Sequence, residues 1–230
     1  MPGSPTFDLS KNQILADLPE DEIDRLRPHL GFVSTNLRDF LYKVGEPLRF
    51  NYFPQDSVIS SLAHLADGRS VEVGLEGNEA VVGVEAILGA KTATKDAVVQ
   101  VPGGCLKIRT EVLQTEFRRN GVLHFRVLRY LRDLIAQVTQ TAACNRVHRL
   151  DQRLPRWLLM THNRAGTDVL PMTHEFLSHM LGTPRSEVSI AAANLRKSGL
   201  IRYGRGHMII LDRKGLESAS CECYQAVDGK

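Results

Sequence analysis

The sequence predicts an α+β chain in three parts: an N-terminal jelly roll or barrel of short strands, one long helix, and a C-terminal pair of short helices followed by a hairpin. Three observations carry this prediction. Seven short apolar runs between Gly31 and Ile108 are separated by glycine and aspartate turns; the stretch from Gly121 to about His148 is continuously helical in pattern; and Thr173 to Leu211 passes from helix signals to hairpin signals. At 230 residues the chain can bury more than one core. No apolar run approaches the roughly 18 residues that a membrane helix needs, and the N-terminal stretch lacks a basic region followed by an apolar one. Four scattered cysteines, Cys105, Cys144, Cys221 and Cys223, do not form a secreted disulfide framework. A cytoplasmic protein with reduced thiols is the expectation.

From Ser10 to about His29, Pro19 breaks an apolar pattern into two short helices, with Asp21 and Glu22 in the first turn of the second. The strands then run Phe32–Leu37, Phe40–Val44, Phe50–Phe53, Val58–Ala66, Val71–Leu75, Val98–Val101 and Cys105–Ile108, with Asp67-Gly68 as a hairpin signal. Thr110 opens a short helix, and Gly121 separates it from the long one. Roughly 28 residues at ~1.5 Å each would make that helix ~42 Å long, more than a small domain needs. Leu128, Leu131, Ile135, Val138 and Ala142 recur on it at three-four spacing, which reads as the seam of a dimer; packing on the chain's own barrel is the alternative. Asp151 begins another helix with Leu154, Trp157, Leu158 and Leu159 on its core face, and Pro155 is tolerable there only within the first turn. Gly166 to Pro171 reads as a loop.

Thr173 caps the next helix, whose apolar side is Phe176, Leu177, Met180 and Leu181, and Gly182 ends it. Thr183 and Pro184 suit a cap and a first helical residue for a second helix, over Arg185 to Ser198. Val188, Ala192 and Leu195 give that helix a narrow buried stripe and leave Arg185, Ser186, Ser189, Ile190 and Asn194 on its other face. Gly199 stops it, and Leu200–Tyr203 and His207–Leu211 pair across Gly204-Arg205-Gly206. Small residues on the free face suit a helix that enters a DNA major groove. The net charge of +3 permits nucleic-acid binding without demanding it. Between Pro171 and Leu211, however, Arg185, Arg196, Lys197, Arg202 and Arg205 outnumber Glu175 and Glu187.

This helix, turn, helix and wing resembles the winged helix-turn-helix of the bacterial Crp/Fnr transcription regulators, in particular a subgroup ending as here in Cys221-Glu222-Cys223-Tyr224. The resemblance covers almost the whole chain. It implies a cyclic-nucleotide-binding-like jelly roll at residues 1–120, a dimerisation helix at 121–149 and a DNA-binding domain at 150–230. It further implies a homodimer on near-palindromic double-stranded DNA, with RNA polymerase as a candidate partner and no membrane partner. The DNA-facing residues it points to are Arg185, Ser186, Glu187, Ser189 and Ile190 on the recognition helix, Thr173 and His174 at the preceding helix N-terminus, and Arg205 on the wing. Arg185 is the one expected to read a guanine bidentately.

The family's nucleotide pocket needs a Gly-Glu pair and an arginine for the cyclic phosphate. Here Gly83 and Glu85 are split by Val84, no arginine follows, and Thr94 and Lys95 are the nearest substitutes, with Thr139 on the long helix as a supplementary contact. The pocket is degenerate, ordinary cyclic AMP binding is not expected, and the effector is unknown. No cofactor and no metal is expected: the N-terminus has no cysteine cluster for an iron-sulfur centre, and Cys221 and Cys223 supply two ligands with neither Cys105 nor Cys144 near them in sequence. No constellation suggests an enzyme, since the barrel offers His64 alone and His174 and His179 are five residues apart. The remaining alternative is a ligand-binding or protein-interaction module whose helix-turn-helix does not read DNA.

Overall fold

The computed structural model describes residues 7–227, and the chain divides into two compact units, Met1–Ile59 with Glu76–Asp133 and Ser60–Leu75 with Leu134–Lys230. Pro19 separates α1 (Gln13–Ala16) from α2 (Glu20–Leu26), as its ring and missing amide require. Seven strands follow where the apolar runs predict them: β1 (Gly31–Thr35), β2 (Phe40–Tyr42), β3 (Phe50–Pro54), β4 (Val58–His64), β5 (Ser70–Glu76), β6 (Asp96–Val101) and β7 (Gly103–Arg109). They form sheets of order β1-β7-β3 and β2-β6-β4-β5. Leu106 stands opposite Phe32 on one side and Phe53 on the other, which fixes the register of the first sheet. A core of Tyr42, Leu48, Ile59, Val82, Ala86, Ala93, Ala97 and Val99 fills the first unit. Between the strands of this unit lies the short α3 (Val84–Ile87), entered through Gly83 at φ 81°.

Two further helices follow β7: α4 (Thr110–Phe117) and the long α5 (Val122–Val147). The first amides of α5 need acceptors. Glu22 supplies them: its carboxylate accepts from the backbone N–H of Val122 at 2.6 Å and Leu123 at 2.9 Å. A Cβ on Gly121 would collide with that carboxylate, so the glycine is required by close approach. Leu123, Val127 and Tyr130 make the buried stripe of the first part of α5.

The second unit contains the β4–β5 hairpin residues Ser60–Leu75. Its turn has Gly68 at φ 84°, and the Leu65 amide donates to the Arg69 carbonyl at 2.8 Å. Gln137 of α5 clamps Leu75 in both directions, accepting from its amide at 2.7 Å and donating to its carbonyl at 3.1 Å. The remaining elements are α6 (Leu150–Ala165), β8 (Val169–Leu170), α7 (His174–Leu181), α8 (Arg185–Lys197), β9 (Ile201–Gly204), β10 (His207–Ile210), α9 (Arg213–Ala219) and α10 (Cys223–Val227). The Trp157 indole on α6 donates to Glu72 at 2.8 Å.

Several expectations need correction. Pro155 lies in the second turn of α6, beyond the first turn that would tolerate it without loss, so the helix gives up one bond there. The loop at Gly166–Pro171 contains β8, which pairs with β10 through Met208↔Leu170. Pro184 is the cap of α8 and Arg185 its first residue; the proline's φ of −54° and ψ of 140° suit the half-in position. The separation in sequence of Cys144 from Cys221 and Cys223 does not hold in space: the three thiols form one buried cluster, because the chain returns from the wing to the end of α5. Among the described residues no helix is long and apolar enough to cross a membrane.

Candidate nucleic-acid interface

The interface is built on α7, α8 and the β-hairpin. Thr173 caps α7, its hydroxyl oxygen accepting from the Phe176 amide at 3.1 Å, which leaves the hydroxyl proton free to donate outward. Gly182 ends α7 at φ 59°, and a Cβ there would stand 3.2 Å from Val71 of the hairpin. The Thr183 hydroxyl donates to the Leu181 carbonyl at 3.0 Å. These bonds fix the turn, and with it the angle at which α8 starts.

On α8 the buried stripe is Val188, Ala191, Ala192 and Leu195. Arg185, Ser186, Glu187 and Asn194 are exposed, and Ile190 is 64% exposed, an apolar side chain with nothing from its own chain to cover it. Among the described residues no carboxylate pairs with Arg185, so its guanidinium retains all its donors. Such a helix can offer a bidentate donor, a hydroxyl, an acceptor and a methyl-sized apolar contact from its first two turns.

Ser189 and His174 face inward. The Ser189 hydroxyl donates to the Arg185 carbonyl at 2.9 Å and lies 3.0 Å from His174 Nδ1. With its single proton spent, the serine must accept from Nδ1–H, and Nε2 is then the bare nitrogen, buried and without a partner. The imidazole stacks on Tyr203 with centroids 4.4 Å apart. Burial, and secondarily the charge of Arg185, depress its pKa, so the ring is neutral at physiological pH. His174 therefore ties α7, α8 and β9 together through its ring, with Nε2 buried.

In the wing, β9 and β10 pair with Gly204 opposite His207, leaving Arg205-Gly206 as a two-residue turn with Gly206 at φ 76°. Arg202 and Arg205 are exposed, as are Arg196 and Lys197 on the last turn of α8. The cations counted in the sequence thus reach solvent from one small domain, an arrangement that attracts phosphates.

The residues expected at a nucleotide pocket fall as follows. Gly83 carries its positive φ, and its carbonyl accepts from Asn51 at 2.7 Å. Lys95 Nζ lies 2.6 Å from Glu85 Oε1, both side chains being about one-fifth exposed. Each neutralises the other. The ammonium that would face a phosphate and the carboxylate that would face a ribose are spent on one another, although Glu85 Oε2 has no hydrogen-bond partner. Thr94 and Thr139 are exposed.

On α5, Leu128, Ile135 and Val138 of the expected seam are 42%, 63% and 38% exposed, Ala142 is exposed, and Leu131 is half-buried. Phe125, 65% exposed, extends the same stripe by one turn. The buried residues Leu123, Val127, Tyr130, Gln137 and Cys144 form a second stripe at the same spacing. The helix thus has two such stripes, and the seam expected from its spacing is the one that this chain leaves bare.

Two features lay outside the sequence reading. Glu72 is a buried carboxylate beneath Trp157, and Cys144 and His148 stand beside Cys221 and Cys223. A Cys/His pair four apart on a helix together with a Cys-x-Cys stretch is the signal that would have found the second.

Residues 152–219 match the family described as the Crp-like helix-turn-helix domain. No curated protein matches the sequence. Among solved structures, FixK2 from Bradyrhizobium japonicum is 16% identical, with a TM-score of 0.71 over 84% of this chain and 98% of its own. A transcriptional regulator of the CRP family from Thermus thermophilus is 22% identical, with a TM-score of 0.70 over 82% of this chain and 96% of its own. The c-di-GMP-responsive global regulator CLP of Xanthomonas campestris is 17% identical, with a TM-score of 0.69 over 84% of this chain and all of its own. At such identities the likeness is one of fold. The chain carries a Crp-like helix-turn-helix domain and has the fold of the Crp/Fnr transcription regulators.

Proposed function

We propose that this chain is a homodimeric, sequence-specific DNA-binding transcription regulator of the cytoplasm. In this reading residues 1–120 form the sensor domain, 121–149 the dimerisation helix and 150–230 the DNA-binding domain. The observation that carries it is the exposed face of α8: a free Arg185 beside Ser186, Glu187 and Ile190, above a stripe of small buried residues. Arg185 reads a base edge, Ser186, Glu187 and Ile190 complete the reading surface, and Thr173 and Arg205 hold phosphates. Ser189 and His174 position α8 and touch no base. The bare stripe Phe125, Leu128, Ile135, Val138 closes against its copy, and two-fold symmetry then sets the recognition helices about 34 Å apart on a near-palindromic site. RNA polymerase is the partner through which such a regulator would act. No catalytic role is proposed, and the Glu85–Lys95 pair argues against cyclic AMP as the effector.

Selection of bound DNA from random sequence tests the reading. An inverted-repeat consensus should emerge, bound more tightly than random DNA at every salt concentration. If no sequence is enriched and all binding vanishes with salt alike, the helix-turn-helix does not read DNA and the chain is an interaction module.

A further inference from the structure

The end of α5 and the segment after α9 bring four metal-ligating groups to one point. Cys144 and His148 are four residues apart, so they project from the same side of the helix end, where the His148 amide bonds back to the Cys144 carbonyl at 3.0 Å. Cys221 and Cys223 flank the entry to α10, with the Tyr224 amide closing the turn on the Cys221 carbonyl at 3.1 Å. The Tyr224 hydroxyl then accepts from Arg213 at 2.9 Å and Asn163 at 3.2 Å, which anchors the segment to α9 and α6. The three sulfurs and the imidazole nitrogen all lie within 4.8 Å of one another, and the three cysteines are buried.

We propose that Cys144, His148, Cys221 and Cys223 hold a single tetrahedral Zn²⁺ ion. Bond lengths of about 2.3 Å to sulfur and 2.0–2.1 Å to nitrogen place tetrahedral ligand atoms about 3.8 Å apart for two sulfurs and about 3.5 Å apart for sulfur and nitrogen. The Cys144 and Cys221 sulfurs are 3.5 Å apart, and Cys223 Sγ is 3.5 Å from His148 Nδ1. With every pair within 4.8 Å, none needs to close by more than about 1.0–1.3 Å to meet tetrahedral geometry. The surroundings orient the ligands as well. Glu222 Oε1 lies 3.2 Å from His148 Nε2, so the proton sits on Nε2 and the Nδ1 lone pair faces the sulfurs. Gln140 Nε2 donates to Cys223 Sγ at 3.0 Å, the kind of bond that steadies a thiolate.

A disulfide between Cys144 and Cys221 would use two of these groups and leave Cys223 and the oriented histidine without a purpose. An iron-sulfur cubane would hold its thiolates on different irons, further apart than a single ion does. Soft thiolates with one imidazole, in a closed four-ligand set, select zinc in a structural role. On binding, the three thiols release their protons to solvent, the imidazole binds neutral, and the site carries one net negative charge. The ion clips the last turn of the long helix to the segment that follows the wing, so the C-terminal residues become part of the second unit's framework.

Metal analysis of the full-length chain, expressed with zinc and purified under reductant without chelator, should find about one zinc per chain. Cys221→Ser and Cys223→Ser should lose it, whereas Cys105→Ser, altering a thiol of the first unit, should keep it. Glu222→Ala, which removes the acceptor for His148 Nε2–H, should weaken zinc about 10-fold in a chelator competition. Cobalt titrated into the metal-free wild-type protein should give thiolate charge-transfer and tetrahedral d–d bands that saturate at one equivalent and bleach on adding zinc. This readout depends on no variant's folding. A reduced wild-type protein that binds neither metal stoichiometrically overturns the proposal. So do retention of full affinity in Cys221→Ser, iron with acid-labile sulfide in place of zinc, or a Cys144–Cys221 disulfide that survives reductant.

Discussion

Replacing Glu72 with glutamine should flatten a pH dependence of folding that the wild-type chain carries. The side chain is buried, its Oε1 accepts from Trp157 at 2.8 Å, and its Oε2 has no partner. Burial pushes its pKa from the ordinary 4.5 up to about 7, against the opposing pull of the Ser60 and Trp157 hydrogen bonds and of the Arg164 and Arg156 charges. Between those two values the unfolded chain has lost its proton while the folded chain keeps it. Stability therefore falls as pH rises, by at most about 1.4 kcal/mol per unit and by about 3 kcal/mol in all, and levels off above the folded-state value. Below the ordinary value both states hold the proton and the group adds no pH dependence. Glutamine keeps a carbonyl for the Trp157 N–H and never ionises; its unmatched amide adds an offset that does not vary with pH. Urea unfolding followed by circular dichroism from pH 4.5 to pH 8, at matched protein and metal concentrations, gives the difference between the two proteins. That difference should grow by about 3 kcal/mol in favour of Glu72→Gln. A difference that stays flat across the range would refute the claim that Glu72 is protonated in the folded protein near neutrality.

Three other outcomes are expected. Arg185→Ala should weaken binding to the selected site about 5- to 150-fold, corresponding to 1–3 kcal/mol, with little change on random DNA, whereas Arg205→Ala should weaken both similarly; gel shifts on the two DNAs decide it. Ile135→Glu places a charge in the bare stripe of α5 and should raise the dimer dissociation constant at least about tenfold by analytical ultracentrifugation, with unchanged circular dichroism at high concentration. Calorimetric titration with cyclic AMP should show no tight binding, because Lys95 is already paired with Glu85 at 2.6 Å. A dissociation constant in the low micromolar range would place the nucleotide elsewhere or show that the pair opens at little cost.

The local grammar of this chain was legible wherever one face of an element is buried. Short apolar runs between glycine and aspartate turns located the seven strands of the jelly roll, and the cap at Thr173, the positive φ at Gly182 and the small buried residues of α8 followed from residue type alone. β8 was missed because its two residues are too few to stand out as an apolar run. The Ser189–His174 bond and the stacking of His174 on Tyr203 were not legible, because helix spacing gives a side chain's face, whereas its partner lies in another element. What periodicity cannot show is which remote groups meet. Glu85 finds Lys95 across a turn, Glu22 caps a helix that begins 100 residues later, and Cys144 meets Cys221 across a separation of 77. On α5 the pattern held two stripes, and only the fold shows which of them the chain covers.

The hairpin's membership of the second unit bears on how the molecule can be dissected. A C-terminal fragment starting at Leu134 would hold every helix and strand of the reading head, yet it would lack the acceptor for the Trp157 indole, the backbone that Gln137 clamps and the Val71 side chain beside Gly182. Cutting α5 at that point therefore leaves the Trp157 indole without its acceptor. A self-sufficient reading head needs Ser60–Leu75 supplied in trans or stitched to the fragment's N-terminus by permutation.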